Sequence, residues 1–221
     1  MKKKLIAVLI ITNGPGELST WVRPVVDNLN KINKSSKRND RLNFSINLIL
    51  VPCPNATGTE YKVAKSWNKF EIITKANIFW KLLINPYKYA NWPQKGIVMF
   101  LGGDQFWSIL LAKRLGYLNI TYAEWISRWP NWNNTIAAMN MKVKKSIPKK
   151  YRYKCEVIGD LMADIISNEK ISVNLKGNEF IALLPGSKKA KLSVGVPYFL
   201  EMADHIHDKN KNINLIIPIA P

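Results

Sequence analysis

The sequence predicts an α/β protein: a doubly wound, Rossmann-like parallel sheet followed by the start of a second Rossmann-like domain. Three observations predict it. Short apolar runs alternate with helical patterns along the chain, and several of these runs end in glycine. The strand, glycine loop and helix of the N-terminus then recur at Phe180-Ile-Ala-Leu-Leu-Pro-Gly-Ser-Lys-Lys189. Continuous apolar runs suit strands buried on both faces, as in a parallel sheet covered by crossover helices. In such sheets ligands bind beyond the carboxyl ends of the strands, so the glycine-marked strand ends are the places to look for function.

Taken in order, Leu5 to Ile11 is the first buried strand, running into Thr12-Asn13-Gly14-Pro15-Gly16-Glu17. Lys2-Lys3-Lys4 ahead of it imitates the start of a signal peptide, but a Gly-Pro-Gly-Glu turn follows and no small-x-small cleavage pattern does. Val22, Val25, Val26 and Leu29 fall at helical spacing and predict a helix over Leu18 to Ile32. A polar connection, Lys34 to Arg41, leads to a second strand, Leu42 to Val51, stopped by Pro52-Cys53-Pro54. Tyr61 to Trp92 is aromatic and mixed, helical in parts, with Pro86 and Pro93 as interruptions. Gly96 to Leu101 is a third strand ending in Gly102-Gly103-Asp104, and a helix over Gln105 to Leu115 closes on Gly116 as its C-cap.

Tyr117 to Glu124 reads as a fourth strand, whereas Trp125 to Trp132 has no clean periodicity and carries three tryptophans. Cys155 to Ile158 is a short strand, with a helix starting at Leu161 behind Gly159-Asp160. Residues 167–178 are polar and form the expected linker. Phe180 to Leu184, a helix through Ile206, and Ile213 to Ile219 complete one β-α-β unit before Pro221. The expected division is therefore a first domain over 1–170 and an incomplete second domain over 178–221.

Composition bounds the chemistry. The chain has 221 residues, 47% of them hydrophobic, enough for a globular core. No apolar run approaches the roughly 18 residues that a membrane-spanning helix needs. Cys53 and Cys155 are distant and have no second ligand at metal spacing, which fits a reducing compartment. His205 and His207 are the only histidines and sit on a polar helical stretch, so neither a metal cluster nor a Cys–His nucleophile pair can be built. The net charge is +18. Between Glu124 and Glu156 there is no acid, while Arg128, Lys142, Lys144, Lys145, Lys149, Lys150, Arg152 and Lys154 all fall there. That cluster points to an anionic partner, such as nucleotide phosphates, anionic lipid or nucleic acid. Solvation of a lysine-rich surface is the plain alternative.

Three glycine-marked strand ends are candidate sites. Gly14-Pro15-Gly16-Glu17 lacks the third glycine of a dinucleotide fingerprint; it is either a tight turn with Glu17 on the helix dipole or a substrate contact. Asp104 stands at the end of a buried strand, where a carboxylate either takes a proton from an attacking hydroxyl or caps the helix at Gln105. Gly186-Ser187-Lys188-Lys189 offers close phosphate approach, a hydroxyl and two cations. It lacks P-loop spacing, so triphosphate hydrolysis is disfavoured and a diphosphate leaving group is the better occupant.

Cys155-Glu-Val-Ile-Gly-Asp-Leu-Met-Ala-Asp164, Phe180-Ile-Ala-Leu-Leu-Pro-Gly-Ser-Lys188 and Phe199-Leu-Glu-Met-Ala203 together resemble the central part of lipid-A-disaccharide synthases. Asn13-Gly-Pro-Gly-Glu-Leu-Ser-Thr-Trp-Val-Arg-Pro24 and Tyr122-Ala-Glu-Trp-Ile-Ser-Arg-Trp-Pro130 resemble a divergent branch related to that synthase. The resemblance implies a GT-B glycosyltransferase that needs no metal or other cofactor. It would move an acylated glucosamine-type sugar from a UDP-sugar donor to a lipid-linked sugar acceptor, with inversion. The expected location is cytoplasmic and peripheral, at the inner face of the cytoplasmic membrane.

By the same resemblance Asp104 is the catalytic base, Asn13, Gly14, Gly16 and Glu17 bind acceptor, and Gly186, Ser187 and Lys188 bind the donor phosphates. Departures are visible. The family's Gly-Glu-x-Ser-Gly-Asp loop is Gly-Pro-Gly-Glu here, its Gly-Ser-Arg is Gly186-Ser187-Lys188, and a histidine of the linker motif is Asp160. The family's second domain is longer than the part after the linker here, so the expectation is an inactive form on its own. The alternative is a non-catalytic remnant or a basic module that binds anionic lipid or RNA; nucleic acid enters only through that alternative.

Overall fold

A computed structural model describes residues 4–35, 42–54, 56–165, 179–186 and 189–218. The chain divides into two compact units, Met1–Ile166 and Ser167–Pro221.

In the first unit seven strands form one all-parallel sheet: β1 Lys4–Thr12, β2 Leu42–Leu50, β3 Ile72–Thr74, β4 Gly96–Phe100, β5 Leu118–Ala123, β6 Thr135–Ala138 and β7 Cys155–Val157. Their spatial order is β3-β2-β1-β4-β5-β6-β7. The chain winds outward one way from β1 and then restarts at β4, so the topological switch point lies between those two strands, the crevice where doubly wound folds bind ligands. The expected α/β, Rossmann-like class is the class found.

Strand β1 shows why the sequence folds this way. Ala7, Leu9 and Ile11 pack on one face, against Phe79, Leu82, Leu111 and Leu115. Val8 and Ile10 pack on the other, against Leu18, Val22 and Val26. A strand buried on both faces needs an unbroken apolar run, and each fully buried Leu, Ile or Val contributes about 1.5–3 kcal/mol. The helices of this unit are α1 Pro15–Glu17, α2 Arg23–Ser35, α3 Glu60–Ser66, α4 Phe79–Ile84, α5 Gln105–Leu115 and α6 Met141–Ser146; α4 and α5 supply the partners on the first face, and α2 with the segment just before it those on the second.

Several boundaries differ from expectation for local reasons. Between α1 and α2 the chain makes a π-helical segment, Leu18–Val22, which a hydrophobic pattern of helical period does not reveal. Strands β3 and β6 were not expected: β3 is only three residues long, and β6, Thr-Ile-Ala-Ala, is four residues long with two alanines, which are depleted in strands. Helix α5 agrees at both ends, because Asp104 caps its start and Gly116 ends it at φ 66°, a left-handed conformation that glycine adopts without penalty.

The second unit contains β8 Phe180–Ala182, α7 Lys189–Lys209 and β9 Asn214–Ile216, with β8 and β9 paired in parallel. The expected β-α-β order is present. The expected burial of the Phe180 to Leu184 run is corrected: Leu183 is buried, but Phe180 is 57% and Leu184 66% exposed. Among the described residues β8 has one strand neighbour, so most of its side chains have little to pack against. His205 and His207 lie exposed on α7, as their polar neighbourhood predicts. Residues 166–178, which include the expected linker, lie outside the described residues.

Candidate functional site

At the carboxyl ends of β1, β2 and β4 lies a cavity of about 340 Å³, lined among others by Asn13, Val51, Phe79, Trp80, Asp104, Trp107 and Arg128. Its floor depends on two glycines. Gly103, at φ 98°, sits so close to β2 that a Cβ there would lie 2.9 Å from Val51 Cγ2. At Gly102 a Cβ would lie 2.9 Å from Thr12 Oγ1 and 3.0 Å from Asn13 Oδ1. The end of β4 therefore passes directly against the end of β1, which brings Asn13 and Asp104 to one wall.

Asp104 Oδ1 accepts the backbone N–H of Phe106 at 2.9 Å and so caps α5. Capping uses one oxygen and leaves the residue exposed at the cavity wall. Asn13 Oδ1 is buried there with no hydrogen-bond partner among the described residues, an arrangement that proteins rarely leave uncompensated. The aromatic side of the cavity is a run of edge-to-face contacts, Phe79 to Trp80 at 5.1 Å and Trp80 to Trp107 at 4.9 Å.

The other residues of the first loop point elsewhere. Glu17 folds back so that its Oε2 would be 2.3 Å from a Cβ on Gly14, and Gly16 is exposed with open space around it. Glu17 belongs to a second group, with Glu124 after β5 and Asp160 after β7. Burial pushes the Glu124 carboxyl above its ordinary value, Asp160 and Glu17 push it the same way, and the Trp125 side chain opposes them by hydrogen bonding. Tyr122 lies under this group, its hydroxyl accepting from the Leu161 N–H at 3.4 Å and its ring edge-on to Trp21 at 5.3 Å. Burial, Asp160 and Glu124 raise the Tyr122 hydroxyl as well. Asp160 itself caps the 3-10 turn Leu161–Asp164 through Met162 N–H at 2.9 Å.

The segment after β5 has no crossover helix; polar side chains hold it instead. Gln105 Nε2 donates to Ile126 O at 2.9 Å and Gln105 Oε1 accepts from Arg128 N at 2.7 Å. Asn133, 1% exposed, accepts from Asn119 Nδ2 at 2.6 Å and Thr121 Oγ1 at 2.7 Å, and donates to the carbonyls of Arg128 and Trp129. This buried network explains why the stretch lacks hydrophobic periodicity yet is ordered. It presents Trp125, 80% exposed, together with Trp129 and Trp132, which stack at 5.3 Å. Lys113 lies over the Trp132 ring at 4.7 Å.

The basic stretch occupies α6 and the 3-10 turn Lys149–Lys154. Two of its cations are used internally. Arg152 donates to the carbonyls of Ile147 and Lys145, and Lys154 to Asn131 and Asn133. Lys142, Lys145, Lys149 and Lys150 are exposed.

Of the expected site residues, Asn13 and Asp104 meet at the cavity, while Gly14, Gly16 and Glu17 lie beside it. Gly186, at φ 108°, is in the second unit, and Ser187 and Lys188 lie outside the described residues. Among the described residues no cluster of His, Cys, Asp and Glu could hold a metal ion, and no helix is long and apolar enough to cross a membrane. Sequence reasoning missed Arg128 and Gln105 as parts of the site. Arg128 was visible only as one cation of a charged stretch, and nothing in the sequence brings it near Asp104.

No protein-family model matches the chain. It is 30% identical over 84 residues to a lipid-A-disaccharide synthase from Alteromonas mediterranea, a match covering 35% of this chain and 22% of that protein. Among solved structures, UDP-GlcNAc 2-epimerase from Methanocaldococcus jannaschii superposes with a TM-score of 0.61 at 14% identity, covering 98% of this chain and 74% of the other. MnaA from S. aureus, solved with UDP, gives 0.59 at 12% identity, covering 97% and 62%. The epimerase from Neisseria meningitidis bound to UDP-GlcNAc gives 0.56 at 15%, covering 97% and 66%. The chain thus spans less than a quarter of the curated relative and about two thirds of these structures. The likeness establishes the Rossmann-like fold over nearly the whole chain.

Proposed function

We propose that this chain forms the acceptor side, and the opening of the donor side, of a glycosyltransferase. The enzyme moves an acylated glucosamine-type sugar from a UDP-sugar to a lipid-linked sugar acceptor at the inner face of the cytoplasmic membrane. The observation that supports it best is the convergence of Asn13 and Asp104 on one aromatic-walled cavity at the β1/β4 switch point. The partial match to a lipid-A-disaccharide synthase, and the UDP and UDP-GlcNAc bound by fold neighbours, favour the same substrate class.

In this reading an acceptor hydroxyl attacks the anomeric carbon of the donor. Asp104 takes the hydroxyl proton, the bond from the anomeric carbon to the UDP oxygen breaks, and UDP leaves with the electron pair. Asn13, Gly14, Gly16 and Glu17 hold the acceptor. Gly186, Ser187 and Lys188 receive the diphosphate, where backbone N–H groups and a cation stabilise the growing charge. Lys188 acts as a point charge and not as the planar fork of an arginine. No metal takes part.

Transfer of label from UDP-N-acylglucosamine to a lipid-linked glucosamine phosphate tests this. The expectation is no product from the 221-residue chain and EDTA-insensitive product from a form carrying a complete second Rossmann-like domain. No product from either form would overturn the proposal. Conversion of UDP-GlcNAc without any acceptor would replace it with the epimerase activity named for the fold neighbours. The exposed cations of the basic stretch favour one second reading, a module that binds anionic lipid or RNA without turnover.

A further inference from the structure

Helix α4 turns an apolar side outward as well as inward. It buries Phe79, Leu82 and Leu83 in the core that α5 completes with Leu111, Ala112 and Leu115. Yet Trp80 and Ile84, one turn apart on its outer stripe, are 48% and 69% exposed. A helix that covers a sheet ordinarily shows polar residues there. The stripe continues across the surface as a run of neighbouring rings: Trp80 to Trp107 at 4.9 Å, Trp107 to Phe106 at 5.3 Å, Phe106 to Trp129 at 5.9 Å and Trp129 to Trp132 at 5.3 Å. These rings join α4, α5 and the segment after β5 into one aromatic face, and contiguous exposed apolar surface marks an interaction site.

The far end of this face is held in place against a conformational cost. Trp129 is left-handed at φ 57°, a strained conformation for a bulky residue that persists only where surrounding contacts over-determine it. Those contacts are present: the Asn133 side chain, 1% exposed, donates to the Trp129 carbonyl at 3.3 Å, and the Trp132 N–H donates to the same carbonyl at 3.0 Å. A buried amide and a tight turn thus keep two stacked indoles at the surface, 42% and 41% exposed.

Charge selects the occupant. Between Glu71 and Glu156 the only acids are Asp104 and Glu124, both just past the carboxyl ends of strands and so at one end of the face. Exposed Lys81 and Lys88 stand on or just after α4, and exposed Lys113 and Arg114 in the last turn of α5; among the described residues none of them forms an ion pair. Lys113 lies over the Trp132 ring at 4.7 Å, and Lys154 donates to the Asn131 and Asn133 carbonyls on either side of Trp132, which brings the basic 3-10 turn to the edge of the face. A second copy of a chain with net charge +18 would bring like charges together there. Indoles, apolar in body with one N–H, are favoured at the level of lipid headgroups, and lysines and arginines beside them meet lipid phosphates. An anionic bilayer surface satisfies both the rings and the cations.

We propose that the outer face of α4, α5 and the segment Trp125–Trp132 is the surface on which the first unit docks to a bilayer containing anionic phospholipid, its rings entering the headgroup layer and its rim cations meeting the phosphates. The inference rests on the membrane-surface part of the reading above and names the face that makes the contact. Trp80 and Trp107 also line the cavity, so docking by this face sets the cavity beside lipid.

The test is vesicle binding alone, so it does not depend on transfer. The 221-residue chain is floated with mixed phosphatidylcholine and phosphatidylglycerol vesicles at physiological salt, where screening has weakened the purely charged part of the contact. Ile84→Glu sets a carboxylate in the middle of the face at a side chain the core does not use. It should lower partitioning by about tenfold or more and leave the thermal melt unchanged. Ile32→Glu makes the same change of charge on α2, which packs on the opposite face of the sheet, and should partition like the parent. Trp129→Ser with Trp132→Ser should also lose about tenfold or more. Phosphatidylcholine brominated on its acyl chains reports depth: it should quench the tryptophan fluorescence of the parent and not that of Ile84→Glu.

Parent-like partitioning of Ile84→Glu, an equal loss in Ile32→Glu, or no quenching of the parent would each overturn the proposal. A dimer that forms with rising concentration and is lost in Ile84→Glu would assign the face to a second copy and overturn it as well. Partitioning as expected together with failed transfer in the two-domain assay would leave this face standing and remove the glycosyltransferase reading. Transfer to a detergent-dispersed acceptor, with vesicle binding unimpaired in Ile84→Glu, would do the reverse.

Discussion

Asp104 Oδ1 lies 2.9 Å from the Phe106 backbone nitrogen and accepts its N–H. The residue therefore has a structural duty, and a catalytic one must be separated from it. Asn caps helices about as well as Asp, so Asp104→Asn should melt close to the parent protein, whereas Asp104→Ala should lose about 1 kcal/mol. In the two-domain form Asp104→Asn should lower kcat by about 10² to 10⁴, the usual contribution of a placed general base. Thermal melts and transfer rates on both variants decide it: near-normal turnover in Asp104→Asn would reduce Asp104 to a cap.

Glu124 gives a pH prediction. Its carboxyl is raised by burial first, then by Asp160 and Glu17. A carboxyl raised on folding stabilises the native state below the unfolded-state value and loses that contribution as pH climbs through the folded value. Its ionised form is the unfavourable one at neutral pH. Glu124→Gln should therefore flatten the fall in stability between the ordinary glutamate range and neutrality, and should not weaken the fold at pH 7. Urea melts across that interval check it; an unchanged pH profile would mean that folding does not raise the Glu124 carboxyl.

Much of the fold was legible because it depends on local signals that tertiary packing did not overrule. Unbroken apolar runs marked β1 and β4, an alternating run that turns apolar at its end marked β2, and Asp104 with Gly116 marked both ends of α5. The strand β6 and the segment after β5 were not legible, since the latter is held by Gln105, Asn119, Thr121 and Asn133 across distances in sequence that no periodicity encodes. At the site, strand-end glycines located Asn13 and Asp104. Arg128 reaches the cavity only through the Gln105 and Asn133 bonds, and an exposed run such as Phe180 to Leu184 cannot be told from a buried one by composition.

Gly16 separates stability from recognition. It lies within α1, and a Cβ there would meet nothing within 4 Å. Alanine in a helix is favoured over glycine by roughly 0.5–1 kcal/mol, so Gly16→Ala should stabilise the chain slightly. If the loop contacts the acceptor closely, the same variant should lose acceptor affinity while gaining stability. Gly103→Ala is the contrasting case: at φ 98° and 2.9 Å from Val51 Cγ2 it should cost about 1–3 kcal/mol. Denaturant midpoints and calorimetry on the pair give both answers, and unchanged affinity in Gly16→Ala would take Gly16 out of the acceptor site.

Membrane contact is tested by the basic stretch and the tryptophan segment together. Arg152 and Lys154 are tied to backbone carbonyls, so the cations available to an anionic surface are those of α6 and the turn after it. Each cation near such a surface contributes about 1 kcal/mol at low salt. Replacing Lys144, Lys145, Lys149 and Lys150 with Gln should abolish sedimentation with phosphatidylglycerol vesicles and leave the circular dichroism unchanged. Trp125→Ala should weaken the binding that remains at high salt, because an exposed indole contributes by entering the interface and not by charge. Neutral vesicles should bind poorly throughout. Undiminished vesicle binding in the four-site variant would exclude this face as the contact, and RNA affinity far above lipid affinity at physiological salt, with a steep salt dependence, would favour the basic-module reading instead.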